Sequence, residues 1–246
     1  RYIAGKMMLV RALVLGLHLD IIPPKTKLTI EKDYTFAALI PLQANASFDV
    51  LGRFKTVLIG GAPIPTDLRK RISKKYKHCI ETYGMTETLT HVATRIVSDA
   101  VIPFKVMPGI GIATDENDCL VLEVPYLPLS PLVTQDVVRL EGRDSFRLFG
   151  RRDWVINSGG MKIFPEALEE VLTPFIKFPF FFTALPDANL GEQLVLLVEA
   201  PATEKTAIMA IAQQHLGANK HHIPKQVICM DAFMHTRSGK LDRKAT

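Results

Sequence analysis

Cys79-Ile80-Glu81-Thr82-Tyr83-Gly84-Met85-Thr86-Glu87-Thr88 is an alternating run that stops on a glycine and gives way to hydroxyls and carboxylates. The first half has the composition of a half-buried strand, and the glycine marks the turn that ends it. In an α/β sheet, ligands bind at the carboxyl ends of the strands. At such an edge Tyr83 can lie against a flat base, Thr86 can hydrogen-bond a phosphate, and Glu87 can hold a magnesium ion, which prefers oxygen ligands. A polar surface turn accounts equally well for any one of these residues taken alone.

Neighbouring segments repeat the pattern. Upstream, the strand-type run 55–59 is followed by Gly60-Gly61-Ala62-Pro63, small residues that allow backbone to approach a flat ligand closely and that also simply make a turn. Further strand-type runs at 91–96 and 119–124 alternate with helical patterns and are separated by glycine and proline, which predicts an α/β architecture. Leu68, Ile72 and Tyr76 mark one face of a helix whose Arg69, Lys70, Arg71, Lys74 and Lys75, with Lys77 beyond, read as a solvated basic face rather than a nucleic-acid patch. Downstream, Thr134-Gln135-Asp136 places a carboxylate beside a strand, able to accept two hydrogen bonds from ribose hydroxyls or to serve as a turn residue.

A composition break at Phe149-Gly150-Arg151-Arg152-Asp153 predicts a boundary between residues 1–150, a large domain, and residues 151–246, a small α+β domain. In the second part Pro165 suits a first helical turn, Glu166, Glu169 and Glu170 lie towards the positive end of the helix dipole, and Leu168, Val171, Leu172 and Phe175 form an apolar stripe. Strand-type runs at 180–185 and 193–199, a helix near 204–215 and a strand near 226–230 complete it. Asn157-Ser158-Gly159-Gly160-Met161-Lys162 is a glycine-pair loop leading into the acidic helix start, and Thr236-Arg237-Ser238-Gly239-Lys240-Leu241-Asp242-Arg243 presents a lysine after a Ser-Gly turn.

The 246 residues, 48% of them hydrophobic, are enough for real cores. Thirty basic against twenty-five acidic residues leave a net charge of +5, most of it before Arg151. The most apolar stretch, residues 7–19, is interrupted by Arg11, Gly16 and His18 and is too short for a bilayer span, so a buried helix is expected and no membrane partner. No export segment opens the chain, which makes the cytoplasm the default. Cys79, Cys119 and Cys229 lack metal or redox spacing and read as reduced core residues. The chain opens at Arg1 without methionine and reads as starting mid-domain.

In this order and spacing the segments resemble the adenylate-forming superfamily of acyl-CoA synthetases, luciferases and peptide-synthetase adenylation domains. The shared blocks are Tyr83-Gly84-Met85-Thr86-Glu87-Thr88, Asp136, Gly150-Arg151-Arg152-Asp153, the loop 159–169 and Ser238-Gly239-Lys240-Leu241-Asp242-Arg243. The wording around Tyr2-Ile3-Ala4-Gly5-Lys6 and residues 150–165 is most similar to short bacterial o-succinylbenzoate–CoA ligases of menaquinone biosynthesis. The resemblance implies a large nucleotide- and acid-binding domain, of which residues 1–150 are the later part, and a small mobile C-terminal domain. It implies ATP, Mg2+ and coenzyme A as cosubstrates and cofactors and a small carboxylic acid as substrate, converted to an acyl-adenylate and then a thioester.

Carried over by position, the resemblance makes Gly61, Ala62 and Tyr83 an adenine site, with Gly84 and Met85 also nucleotide-binding, Thr86 a phosphate contact and Glu87 the magnesium ligand. Asp136 and Arg151 hold the ribose, Lys240 is the adenylation lysine, Asp153 the hinge, and Gly159-Gly160 line the passage of the CoA thiol. Tyr2, Lys6 and His91 are the acid contacts, with Arg95 a further candidate for a second carboxylate. The family's phosphate loop would precede Arg1, and Gln135 stands where relatives have glycine. Two other readings stay open: an adenylation domain serving a carrier protein, and a non-catalytic ligand-binding relative without the phosphate loop.

Overall fold

The structure is a computed structural model that describes residues 3–23, 25–128, 130–235 and 241–246. It is a mixed α/β protein whose chain divides into two compact units, residues 1–134 with 138–148, and residues 135–137 with 149–246.

The first unit contains helix α1 (Ile3–Leu15), strand β1 (Tyr34–Leu39), helix α2 (Pro41–Ala46), β2 (Phe54–Ile59), α3 (Thr66–Lys75), β3 (Cys79–Gly84), β4 (His91–Ile96), β5 (Phe104–Val106), β6 (Gly111–Thr114) and β7 (Cys119–Glu123). Strands β8 (Leu132–Leu140) and β9 (Ser145–Arg151) complete a nine-stranded sheet in the order β1-β2-β3-β4-β5-β9-β8-β7-β6. β1, β2 and β3 run parallel, with Phe36 opposite Thr56 and Leu58 opposite Ile80, and β4 turns the sheet antiparallel. Parallel strands need crossovers, and α3 supplies the one between β2 and β3. Leu68 and Ile72 of that helix pack with Val57, Ile59 and Cys79 in one core, while Val92, Phe104, Leu120, Leu122 and Phe146 form a second. Each of these fully buried aliphatic side chains contributes about 1.5–3 kcal/mol relative to exposure.

Three expectations are corrected here. Residues 3–15 are helical as the pattern requires, but the helix is not buried: Leu13 is 82% and Val14 76% exposed. Met7, Met8, Arg11 and Ala12, at helical spacing, form the half-covered face, and a helix covered on one face cannot bury a sequence apolar all round. Arg69, assigned to a solvated basic face, is 2% exposed, because the turn of α3 that carries it points at the sheet. In the second unit, Val171 and Phe175 are 43% and 44% exposed, because their helix stops at Leu172 and Ile176 fills the core instead. Phe175 stacks on His215 there.

The second unit is built from β10 (Ile156–Ser158), β11 (Met161–Ile163), α4 (Pro165–Leu172), β12 (Phe180–Asp187), β13 (Gly191–Glu199), α5 (Lys205–Leu216) and β14 (Gln226–Met230). Its five strands run β11-β10-β13-β12, with β14 parallel to β13. The near-continuous apolar run of β13 follows from burial on both faces: α4 and α5 cover Leu194, Leu196 and Val198, while Phe181, Phe233 and Leu197 pack on the other side.

Arg69 has a specific partner. Its Nη2 donates to Glu81 Oε2 at 2.7 Å, and the same oxygen accepts from Arg95 Nε at 2.6 Å. Glu81 on β3 is opposite Arg95 on β4, and all three side chains are less than a tenth exposed. Arg95 also donates to the carbonyl of Ile102 at 3.0 Å and lies over the Phe104 ring, whereas Nε and Nη1 of Arg69 have no partner among the described residues. One carboxylate therefore serves two buried guanidiniums. Removing one member of a buried ion pair costs about 3–5 kcal/mol because it strands the other charge. Glu81→Ala should destabilise the protein by about that amount. Arg69→Met should cost far less, since Glu81 keeps Arg95. Denaturant titration of both variants checks the asymmetry; equal losses would contradict it.

Candidate functional site

Because β2 and β3 are parallel and register Ile59 with Glu81, their C-terminal ends meet at one sheet edge. The structure thus brings together residues 60–62 and 84–88. The glycines have local reasons. A Cβ on Gly60 would come within 2.1 Å of Thr82 Oγ1, Gly61 has φ +85°, and a Cβ on Gly84 would lie 2.6 Å from the Thr90 carbonyl. Their smallness is thus set first by strand packing. Ala62 is exposed at the edge.

The turn after β3 is pinned by a residue that sequence reasoning passed over. Thr88 is fully buried; its hydroxyl accepts from the Met85 amide at 3.1 Å and donates to the Thr90 carbonyl at 2.7 Å. Its signal was only its place as the last threonine of the motif, to which no role was given. With Thr88 fixed, Thr86 and Glu87 stand exposed at the tip, and Leu89 is held at φ +62°. Tyr83 differs from expectation. Strand alternation turns it inward, where it is 8% exposed and packs on Phe146 and Phe104 with ring centroids 5.2 and 5.8 Å away, so it contributes to the core. No group of three or more His, Cys, Asp or Glu among the described residues can hold a metal. A single exposed carboxylate such as Glu87 suits Mg2+, which takes one or two carboxylates and completes its shell with phosphates and water.

Of the expected acid contacts, Lys6 is exposed on α1 and His91 is half-buried at the start of β4. Arg11 of α1 lies 3.4 Å from His91 Nδ1 and donates to Thr90 Oγ1 at 3.3 Å, adding a cation that the motif reading did not assign. Burial, and then the charge of Arg11, push the imidazole of His91 below its ordinary value. Arg95 is removed as an acid contact, since its guanidinium is committed to Glu81 and the Ile102 carbonyl. Tyr2 lies outside the described residues.

In the second unit Asp136 is half-buried on β8, and Arg151 Nη2 pairs with Asp153 at 2.8 Å, joining the expected ribose and hinge residues. Gly159 and Gly160, at φ +56° and +80°, make the tight turn between β10 and β11. Lys240 lies outside the described residues, but His235 and Leu241 pair across that segment, and Arg243 grips Glu169 with both arms, Nη1 to Oε1 at 2.9 Å. Glu166 reaches the backbone at Gly150. The Arg151 amide donates to its Oε1 at 3.4 Å, and a Cβ on Gly150 would lie 2.7 Å from its Oε2, which has no partner among the described residues.

Residues 8–131 match the family model described as AMP-binding enzyme. A 2-succinylbenzoate–CoA ligase of Lactococcus lactis is 26% identical over 231 residues, covering 84% of this chain and 50% of that protein. A feruloyl-CoA synthase of an Amycolatopsis species is also 26% identical, over 224 residues, covering 78% and 45%. The chain spans about half the length of the curated relatives it matches. Among solved structures, an acyl-CoA synthetase (AMP-forming)/AMP-acid ligase II-like protein from Dyadobacter fermentans is 32% identical, covers 100% of this chain and 74% of that one, and superposes with a TM-score of 0.56.

Burial raises the pKa of Glu166 above its ordinary 4.5. A carboxyl raised on folding stabilises the protein fully below its unfolded value, and that contribution is lost as pH rises through the folded value. Unfolding free energies across a pH series should therefore decline in this window, and Glu166→Gln, which keeps the shape without the charge, should flatten the decline. An unchanged profile in the variant would exclude Glu166 as its source.

Proposed function

This chain belongs to the AMP-binding enzyme family, and we propose that it is the catalytic part of an ATP-dependent acid–CoA ligase, which first forms an acyl-adenylate and then a thioester. The observation that carries this reading is the shared edge of two parallel strands, where 60–62 and 84–88 come together at the position where α/β sheets bind nucleotides. On this reading the edge takes the adenine, Thr86 contacts phosphate and Glu87 holds Mg2+, whose charge offsets that of the phosphates. Asp136 and Arg151 take the ribose. Lys240 meets the substrate carboxylate and the α-phosphate, so its ammonium offsets charge that develops as the carboxylate attacks phosphorus. The rotation that exchanges the two half-reactions turns at Asp153, and the thiol passes Gly159 and Gly160.

The acid proposed is an aromatic dicarboxylate of the o-succinylbenzoate type. Likeness to the Lactococcus ligase supports it, as does the cation Arg11 beside His91 and Thr90, a set able to hold a second carboxylate. Feruloyl-CoA synthase likeness at equal identity makes an aromatic monocarboxylate the competing substrate.

The half-reactions separate the assigned roles. Lys240→Ala should slow acid-dependent pyrophosphate exchange by roughly a hundredfold or more, yet still give thioester from preformed acyl-adenylate. Gly160→Leu should do the reverse. Equal loss of both steps in Lys240→Ala would refute the division of labour, and exchange that no aromatic acid elicits would refute the substrate class.

A further inference from the structure

Trp154 stands next to Asp153 in the short helical turn Arg152–Trp154 and is the sole tryptophan of the chain. No motif in the sequence gives it a role. The structure sets it beside a residue from the far end of the second unit. The Arg243 guanidinium lies 5.6 Å from the centroid of the Trp154 ring and 5.3 Å from that of Phe181, a ring that is itself 1% exposed. Both distances are within the range of a cation–π contact. Glu169 of α4 closes the cluster: its Oε1 accepts from Arg243 Nη1 at 2.9 Å and from the Phe182 amide at 2.8 Å, and its Oε2 accepts from Arg243 Nη2. The two charged side chains are 16% and 15% exposed, which shields the pair from the water and salt that weaken surface ion pairs.

The place of Arg243 in the chain gives this cluster its consequence. It follows Lys240 by three positions, and the chain on either side of residues 236–240 is bonded to itself. His235 pairs with Leu241, and the Asp242 amide donates to the Met234 carbonyl at 2.9 Å. These backbone bonds tie the two ends of the segment to each other. Arg243 ties them to α4 through Glu169 and to the turn at Asp153 through Trp154. A guanidinium can do both at once, because its edge forks onto a carboxylate while its face lies on a ring; an ammonium is a point charge and cannot.

We propose that Trp154 and Glu169 are positioning residues for adenylation: through Arg243 they fix the base of the segment that carries Lys240 against the turn at Asp153. The proposal rests on the ligase reading, which gives that step to Lys240, and extends it to two side chains to which it assigns no ligand. Loss of either contact leaves the ends of the segment paired with each other but no longer oriented on α4 and the turn. The step that needs the lysine in place then slows, and the step that does not need it continues.

The test measures the two half-reactions separately in the whole chain carrying Trp154→Ala, Trp154→Phe or Glu169→Gln. In Trp154→Ala and Glu169→Gln, kcat for acid-dependent pyrophosphate exchange should fall about tenfold to a hundredfold, the scale of a small misplacement of a catalytic group, with KM for ATP unchanged. Thioester formation from preformed acyl-adenylate should keep its wild-type rate. Trp154→Phe retains a face for the cation and should recover most of the lost exchange. Emission reads the contact itself, since Trp154 is the sole indole: in Arg243→Ala it should move to longer wavelength and become easier to quench with acrylamide. An unchanged spectrum there, wild-type exchange in Trp154→Ala, or equal loss of both half-reactions, which is what a general loss of structure produces, would each overturn the positioning role. A wild type that performs neither half-reaction with any acid brings down the ligase reading and this role together. A wild type that performs both, beside variants that lose both alike, overturns this role alone.

Discussion

Glu81 organises the first unit. A carboxylate in the interior is tolerable only when its charge is met, and here Arg69 from the crossover helix and Arg95 from the next strand both meet it at one oxygen. The contact fixes α3 over the sheet and fixes β4 against β3, three residues before the strand ends at Gly84. The exposed tip with Thr86 and Glu87 is thus built on a strand whose lateral position is set by charge as well as by packing. Hydrophobic burial alone is non-directional. The ion cluster adds direction.

The edge illustrates how the turn proposed here to meet the nucleotide can be made from structural needs. Gly60 is required by Thr82, Gly84 by the backbone of Thr90 and His91, and Thr88 closes the turn from inside. What remains outward is a short set of polar groups with little freedom to rearrange. Preorganisation of that kind lowers the entropic cost of holding a ligand.

Much of this was legible in the sequence. Strand positions followed from alternation, and residues 91–96 and 226–230 fall on the strands observed. The glycine turns were equally plain, because glycine at a strand end leaves few alternatives. Other parts were hidden for physical reasons. Arg69 has the same chemistry as Lys70 and Arg71 beside it, and only its direction on the helix, set by the fold, takes it inward to Glu81. Tyr83 was read against a base because it stands at the carboxyl end of its strand, yet strand alternation sends its ring to the opposite side from Thr82. Arg11 and His91 are eighty positions apart, and no local pattern could have joined them.

Cys79 opens the strand that carries Glu81 and Tyr83. It is fully buried, and burial pushes its thiol up to about 11. Since the thiolate is the reacting form, this sulfur is doubly shielded from electrophiles while β3 is seated, by lack of access and by retention of its proton. Alkylation of Cys79 therefore requires the core that α3 closes over β2 and β3 to open. Its rate is a clock for that opening, and the chain carries the label for its own local breathing without any engineered probe.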